Sequence, residues 1–317
     1  MRYNMDRLYE RVADKGHVCV GLDTAPDYIP PSELRKAESP AEAVLKYNRA
    51  IIDATSDIAA CFKLQIAYYE ELGIAGLEVY ARTLAYLRER DLLAIADIKR
   101  GDIADTASRY ARAHFEGEFE ADFVTLAPYM GMDSITPWLA YAERRGKGAF
   151  VLMRTSNPGM RDFEYRELAA GGRLYDAVGD KLAELARESA GKYGYGAFGA
   201  VVGCTEREEA SVIRRKRENL FFLIPGYGAQ GGAADDAALL LSNGNGGVVN
   251  ASRSILKAWN AAGISPEDAT NETAAGCARE AAAEMRDAIR TAAAHRAGPA
   301  KQAVQNQPKK AVCLSEA

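Results

Sequence analysis

Short β-branched and aliphatic runs alternate with amphipathic or Ala-rich stretches along most of the chain. Eight runs read as strands: HVCVGLD (17–23), AACFKLQ (59–65), LLAIADIK (92–99), DFVTLA (122–127), AFVLMR (149–154), GAVVGC (199–204), LFFLIP (220–225) and GGVVNA (246–251). The intervening segments 41–55, 76–90, 102–116, 133–145, 173–191, 205–218 and 233–242 read as helices. Strand–helix alternation calls for parallel strands joined by crossover helices. Eight such units predict an α/β protein built as one (β/α)8 TIM barrel. An open doubly wound sheet more often carries a Gly-rich fingerprint after its first strand, whereas this first turn reads Gly21-Leu22-Asp23-Thr24-Ala25-Pro26.

The phase of each strand predicts which face looks inward. Side chains alternate with period two, so Val18, Val20 and Leu22 share one face, opposite Cys19, Gly21 and Asp23. In the second strand Phe62, Leu64 and Ile66 oppose Cys61, Lys63 and Gln65. The bulky apolar faces fit beneath outer helices. The other faces bring Asp23 and Lys63 to the C-terminal strand ends, where barrel active sites form.

The longest gap, 155–198, holds the loop TSNPGMRDFEYRELAAGG and then a helix; it reads as an active-site loop or as a surface elaboration. After the last strand, 268–294 predicts a closing helix. From Arg296 the chain loses periodicity and is polar. The barrel domain is therefore assigned to 1–295 and a disordered tail to 296–317.

Composition narrows the chemistry. The chain has 317 residues and a formal net charge of −4, which argues against nucleic acid as the main partner. Its three histidines and five cysteines form no CxxC, HxxxH or HExxH spacing, so the usual zinc sites are not expected. Scattered cysteines in odd number suit a reducing cytoplasm. Residues 1–16 show no apolar signal region, and no run approaches the ~20 apolar residues needed to span a bilayer. What remains is chemistry run on Lys, Asp and Ser.

The densest charge cluster is DIKRGDIADT, 97–106, at the end of the third predicted strand. Asp97 and Lys99 point the same way on an extended strand, and Asp102 follows a turn at Gly101. Lys63 ends the preceding strand on its inward face. If neighbouring strands pair in register, these charges converge with alternating sign, each keeping the next ionised. Plain structural readings stand beside this one. Asp102 could cap the helix beginning at Ile103, Asp97 and Lys99 could be a structural ion pair, and Lys63 could reach solvent. Joint placement on adjacent strand ends favours a shared site.

Two further segments suit an anion. LIPGYGAQGGAA, 223–234, is a Gly-rich loop after the seventh strand, and VVNASRSI, 248–255, follows it with Arg253 near a helix start. Loops after strands seven and eight form the usual phosphate site of barrels, and Arg can hold phosphate through two donors. In RTSNPG, 154–159, Ser156 offers a hydroxyl and a backbone amide, although from spacing alone a helix cap or a turn set by Asn157-Pro158-Gly159 is the better reading of the segment. Cys204 reads as a buried filler and Thr205 as the N-cap of the next helix.

Asp97-x-Lys99-x-x-Asp102, Lys63 in FKLQ, Asp23 in GLD, LIPGYGAQGG and ASRSI, in this order, resemble the orotidine 5′-phosphate decarboxylase family. The likeness runs from about residue 17 to 256, and MRYNMDRLYERV and RTSNPG resemble its longer bacterial branch. The resemblance implies cofactor-independent decarboxylation of orotidine 5′-monophosphate to UMP. Lys99 would protonate C6, Asp97 would face the substrate carboxylate, and Lys63 and Asp102 would complete the charge network. Asp102 and Thr106 would come from the neighbouring subunit of a homodimer. Asp23 and Lys63 would bind ribose hydroxyls, Ser156 the pyrimidine, and Gln230 and Arg253 the phosphate. Shorter members often carry a Tyr three residues after the phosphate-binding Arg; here that position is Leu256, and Tyr227 is a candidate substitute. The alternatives are a magnesium-dependent 3-keto-L-gulonate 6-phosphate decarboxylase-like enzyme, a Schiff-base aldolase using Lys63 or Lys99, and a non-catalytic phosphate-binding barrel.

Overall fold

The computed structural model describes residues 2–228 and 232–297. Its eight strands form a closed parallel barrel in sequence order. They are β1 (Val18–Gly21), β2 (Cys61–Gln65), β3 (Ala94–Arg100), β4 (Phe123–Leu126), β5 (Gly148–Arg154), β6 (Phe198–Val202), β7 (Phe222–Ile224) and β8 (Gly247–Ala251). All eight predicted strands are present. β8 returns to β1 with Cys19 opposite Asn250, which closes the sheet and leaves no free edge.

Two buried layers follow from the strand phase. Val18, Val20, Leu22, Phe62, Leu64 and Ile66 belong to the layer between sheet and helices. Cys19, Cys61, Ile95, Phe123, Phe150 and Val248 fill the barrel interior. Both faces are dry, as expected of a parallel sheet covered by helices. The interior layer also contains Met5, Leu8 and Val12 from the helix Asn4–Lys15. That helix packs against the N-terminal ends of the strands, beside Ala60 and Leu93. It is not among the helices assigned from the sequence, although Met5, Leu8 and Val12 recur at the three- and four-residue steps of a helix face in an otherwise charged segment. Polar contacts reinforce it: Asn4 Nδ2 donates to Asp122 Oδ1 at 3.0 Å, and Asn245 Nδ2 to the Tyr9 carbonyl at 3.1 Å.

Several helix boundaries differ from expectation. Segment 133–145 is not one helix: two 3-10 turns, Met132–Ser134 and Thr136–Trp138, precede the helix Leu139–Arg145. Pro137 lacks the amide that a continuous helix would need. The helix Arg207–Lys216 has Glu206 as its N-cap and no side-chain cap, so Thr205 is not the cap; its hydroxyl is buried with no hydrogen-bond partner among the described residues. The helix Ala234–Ala238 is shorter than the predicted 233–242.

The closing helix, Asn271–Ala297, buries Ala274, Ala278, Ala282, Met285, Ile289 and Ala293. This stripe of three- and four-residue steps packs closely on the helix Pro40–Thr55. The helix passes the predicted boundary at 295, and the rest of the predicted tail, 298–317, lies outside the described residues. Among the described residues no helix is long and apolar enough to cross a membrane.

Two histidines tie stability to pH. Burial pushes His17 and His114 down from their ordinary value to about 4, with Arg290 and Arg100 respectively adding repulsion. His17 does so despite a 3.0 Å contact between its Nε2 and the Gly244 carbonyl. Both stay neutral in the fold while the unfolded chain takes up protons below about pH 6.5. Their contribution is therefore present above that pH and is lost as pH falls toward 4. Thermal midpoints should drop between about pH 7.5 and pH 5, with about 1–2 kcal/mol lost per histidine. The double variant His17→Gln/His114→Gln should flatten that drop; an unaltered pH slope would refute the assignment.

Candidate active site

The C-terminal strand ends bring the predicted charges together. β2 and β3 pair with Gln65 opposite Asp97, so both side chains lie at the same barrel level. The Asp97 carboxylate is buried and accepts four hydrogen bonds. Lys63 Nζ and Gln65 Nε2 donate to Oδ2 at 3.0 and 3.1 Å, and Lys99 Nζ and Thr125 Oγ1 donate to Oδ1 at 2.6 and 2.8 Å. Burial alone would raise the Asp97 pKa, but the Lys63 and Lys99 ammoniums hold it well below the usual carboxylate range.

Lys63 is itself buried and lies between two carboxylates, donating to Asp23 Oδ1 at 3.0 Å as well as to Asp97. Burial favours its neutral form, yet Asp23 and Asp97 keep its pKa above the ordinary lysine value. Asp23 is held on both oxygens: Oδ1 also accepts from the Gln65 amide at 3.2 Å, and Oδ2 accepts from Ser252 Oγ at 2.8 Å. Gly21 makes the last contact possible, since a Cβ there would lie 2.0 Å from Ser252 Oγ.

Lys99 differs from Lys63 in exposure. Its side chain is 46% exposed, so one ammonium is locked inside the network and the other faces the cavity. Its backbone has φ +44°, a left-handed conformation that is rare for a residue with a side chain. Here β3 departs from regular pairing with β4, between Ala96 and Arg100.

The cavity above these residues has a volume of about 350 Å³. Asp23, Lys63, Asp97 and Lys99 line it at one end, and Ser156, Tyr227 and Arg253 line it elsewhere. The loop after β7 turns through Gly226 and Gly228, whose φ values of +100° and +68° suit glycine. The Gly228 amide donates to the Gly232 carbonyl at 2.9 Å, and the Gly232 amide to the Gly226 carbonyl at 3.1 Å, closing the loop base. Cys204 is buried beneath it, 2.5 Å from where a Gly232 Cβ would sit. Burial pushes its thiol up to about 11, so it packs as a filler rather than as a nucleophile. Gln230 lies outside the described residues. Arg253 starts the short helix Arg253–Leu256 and is exposed, with no carboxylate within ion-pair distance among the described residues. Leu256 is buried in the core, whereas Tyr227 reaches the cavity.

The loop after β5 is organised by Glu164. Its Oε2 accepts from the Thr155 amide at 2.8 Å and its Oε1 from Thr155 Oγ1 at 2.7 Å. This fixes the residue before Ser156, whose other side lies against Gly203. Part of the long segment after β5 therefore supports the cavity wall.

Asp102 and Thr106 stand apart. Asp102 Oδ1 accepts from the adjacent Ile103 amide at 2.8 Å, and Asp102 has no ion pair among the described residues. The helix Ala104–Phe115 has Ile103 as N-cap and no side-chain cap, so the capping alternative for Asp102 does not apply. Thr106 is exposed on that helix. One chain thus assembles Lys63, Asp97 and Lys99 but brings neither Asp102 nor Thr106 to them.

Four residues of the site escaped sequence reasoning: Gln65, bonded to Asp97, and the cavity residues Thr125, Asn250 and Ser252. The first three were within reach of the period-two rule. Each is a polar side chain near the C-terminal end of its strand, on the face shared with Cys61, Phe123 or Val248. Ser252 lies past its strand, and only the space left by Gly21 accounts for it. Among the described residues no group of three or more His, Cys, Asp or Glu side chains is placed to hold a metal ion.

Comparison with known proteins gives the same picture. Residues 16–264 match the model of the "Orotidine 5′-phosphate decarboxylase / HUMPS family". The chain is 57% identical over 287 residues to an orotidine 5′-phosphate decarboxylase of Clostridium perfringens, covering 90% of this chain and 98% of the relative. It is 53% identical over 286 residues to that of Clostridium acetobutylicum, again over 90% of this chain and 98% of the relative. The solved Leishmania donovani OMP decarboxylase superposes with a TM-score of 0.69 at 29% identity, covering 90% of this chain and 98% of that one. With the barrel, the strand-end charges and these likenesses together, the chain belongs to the orotidine 5′-phosphate decarboxylase / HUMPS family.

Proposed function

We propose that this protein decarboxylates orotidine 5′-monophosphate to UMP and CO2 in pyrimidine biosynthesis, in the cytoplasm, with Lys99 protonating C6. The observation that carries the reading is Asp97 held between two lysines, one buried and one facing the cavity. Loss of CO2 leaves a carbanion-like centre at C6. A fixed ammonium beside that carbon stabilises the developing charge and then supplies the proton. Asp97 serves twice. It keeps Lys99 charged and aimed, and its fixed negative charge disfavours the substrate carboxylate relative to the transition state. Lys63 keeps Asp97 ionised and, with Asp23, offers polar atoms to the ribose. Ser156 hydrogen-bonds the pyrimidine.

Arg253, which lines the cavity, and Gln230 bind the phosphate, a group remote from C6 in the substrate. Arg253 suits this role because among the described residues it has no carboxylate partner to displace, and Tyr227 offers a hydroxyl on the same cavity. Remote phosphate binding then assembles the site and contributes to the rate.

Asp102 and Thr106 complete the site from the neighbouring subunit of a homodimer. Support comes from large apolar side chains exposed around the strand ends: Ile103 next to Asp102, Tyr129 and Met130 after β4, and Phe163 after β5. The Tyr129 and Phe163 rings lie 6.4 Å apart, forming one patch. An exposed apolar cluster beside a half-built site fits an interface.

The nearest alternative is a magnesium-dependent chemistry like that of 3-keto-L-gulonate 6-phosphate decarboxylase. That chemistry calls for a carboxylate ligand near the end of strand two, where this chain has Lys63 bonded to two carboxylates. The decisive assay follows the absorbance change as orotidine 5′-monophosphate becomes UMP, with and without chelator. The parent should turn over equally in both, and Lys99→Ala should fold but lose activity by orders of magnitude, at least ~10³-fold. Chelator-sensitive turnover, or near-normal Lys99→Ala, would sink the reading.

Arg253→Ala should raise KM by about 10- to 100-fold, the loss of a charge-assisted pair. An unchanged KM would remove Arg253 from the phosphate site. For the shared site, mixing inactive Lys99→Ala with inactive Asp102→Ala should recover about a quarter of parental activity. Half of the random dimers are mixed, and each has one intact site. No recovery after verified subunit exchange would place Asp102 in its own chain's site.

A further inference from the structure

We infer that Thr125, on β4, is a positioning residue for the proton donor: its hydroxyl joins the backbone of Lys99 to the carboxylate that aims the Lys99 ammonium. The inference rests on the proposed role of Lys99. Three hydrogen bonds form a closed circuit. The Lys99 amide donates to Thr125 Oγ1 at 2.9 Å, Thr125 Oγ1 donates to Asp97 Oδ1 at 2.8 Å, and Lys99 Nζ donates to the same oxygen at 2.6 Å. A hydroxyl has one proton. Because Oγ1 already receives the Lys99 amide proton, its own proton is free to point at Asp97, and the circuit has one sense.

Local backbone geometry explains why a side chain is needed. At Lys99 the β3–β4 pairing is irregular and φ is +44°. The Lys99 amide is taken up by Thr125 Oγ1. Thr125 is 1% exposed, so water does not readily replace it. Losing that bond would leave a part-buried donor without this partner and remove one restraint on a rarely adopted conformation. Lys99 is the more exposed of the two lysines, and the Thr125 circuit is what ties it to the rigid strand.

Gln65 also donates to Asp97, but to the other oxygen and from the Lys63 side, and it has no bond to the Lys99 backbone. The effect on Lys99 is therefore specific to Thr125.

The test compares Thr125→Val, which keeps the shape and removes the hydroxyl, with Thr125→Ser, which keeps the hydroxyl. Thr125→Val should lower kcat by about 10- to 100-fold with KM changed less than about threefold, since a displaced reacting group costs rate rather than binding. Thr125→Ser should recover kcat to within about threefold of the parent. A crystal structure of Thr125→Val should show Lys99 Nζ withdrawn from Asp97 Oδ1. If Thr125→Val fails to fold, Thr125→Cys takes its place, with a thiol as a weak donor. Thr125→Val with parental kcat, Thr125→Ser as poor as Thr125→Val, or Lys99 unmoved in a slowed variant would each overturn the inference. Should the parent fail to convert orotidine 5′-monophosphate, the proposed reaction falls, while the position of Lys99 in the Thr125→Val structure still decides the positioning role.

Discussion

A single buried carboxylate organises this site. Asp97 lies inside the barrel mouth, where an isolated charge would cost several kcal/mol, and four donors from three different strands compensate it. Compensation runs both ways. Lys63 could not remain charged at its depth without Asp97 and Asp23, and Asp23 is held in turn by Ser252 beyond β8. The circle from β8 through β1, β2 and β3 to β4 is therefore a chain of charges and hydrogen bonds, each needing the next. Such a network is rigid because breaking one member exposes another to the cost of burial.

The barrel supplies what that network requires. Parallel strands end together, so side chains distant in sequence, such as Asp23 and Ser252, meet at one level. The interior below is dry and filled by Cys19, Cys61, Ile95, Phe123 and Phe150. The amino-terminal helix packs its Met5, Leu8 and Val12 into the same layer from the other end. Low polarity beneath the charges strengthens their interactions and leaves the upper cavity as the place where a polar ligand meets them. Restraint is uneven across the site. Lys63 is enclosed, Lys99 borders the cavity, and Arg253 stands exposed at its rim.

Much of this was legible in the chain itself. The eight strands could be read because a parallel barrel buries both faces of each strand, and burial forces short apolar runs separated by helical periods. Period-two phase assigned Lys63 and Asp23 inward correctly, and the two-residue spacing put Asp97 and Lys99 on one side. Errors cluster where local signals compete. Thr205 has the residue type of a cap, but tertiary packing begins the helix later and buries its hydroxyl. Segment 133–145 has helical spacing, yet Pro137 splits its start into tighter turns. The amino-terminal helix has Met5, Leu8 and Val12 at helical spacing, but it precedes the first strand and so lies outside the strand–helix alternation from which the other helices are read.

By itself, then, the order of residues determined the architecture and the inward charges, because these depend on periodicity and on spacing along one strand. Only the tertiary structure decided the partners. Register between strands made Gln65 and Thr125 donors to Asp97, and the absence of a side chain at Gly21 let Ser252 reach Asp23. Departure from regular β3–β4 pairing gave Lys99 its left-handed backbone. Within one chain Asp102 bonds the adjacent Ile103 amide and neither lysine. The physical reason is common to all four. A hydrogen bond is settled within a few tenths of an ångström, and distances between separate strands are fixed by packing of the whole barrel, which no local stretch of sequence encodes.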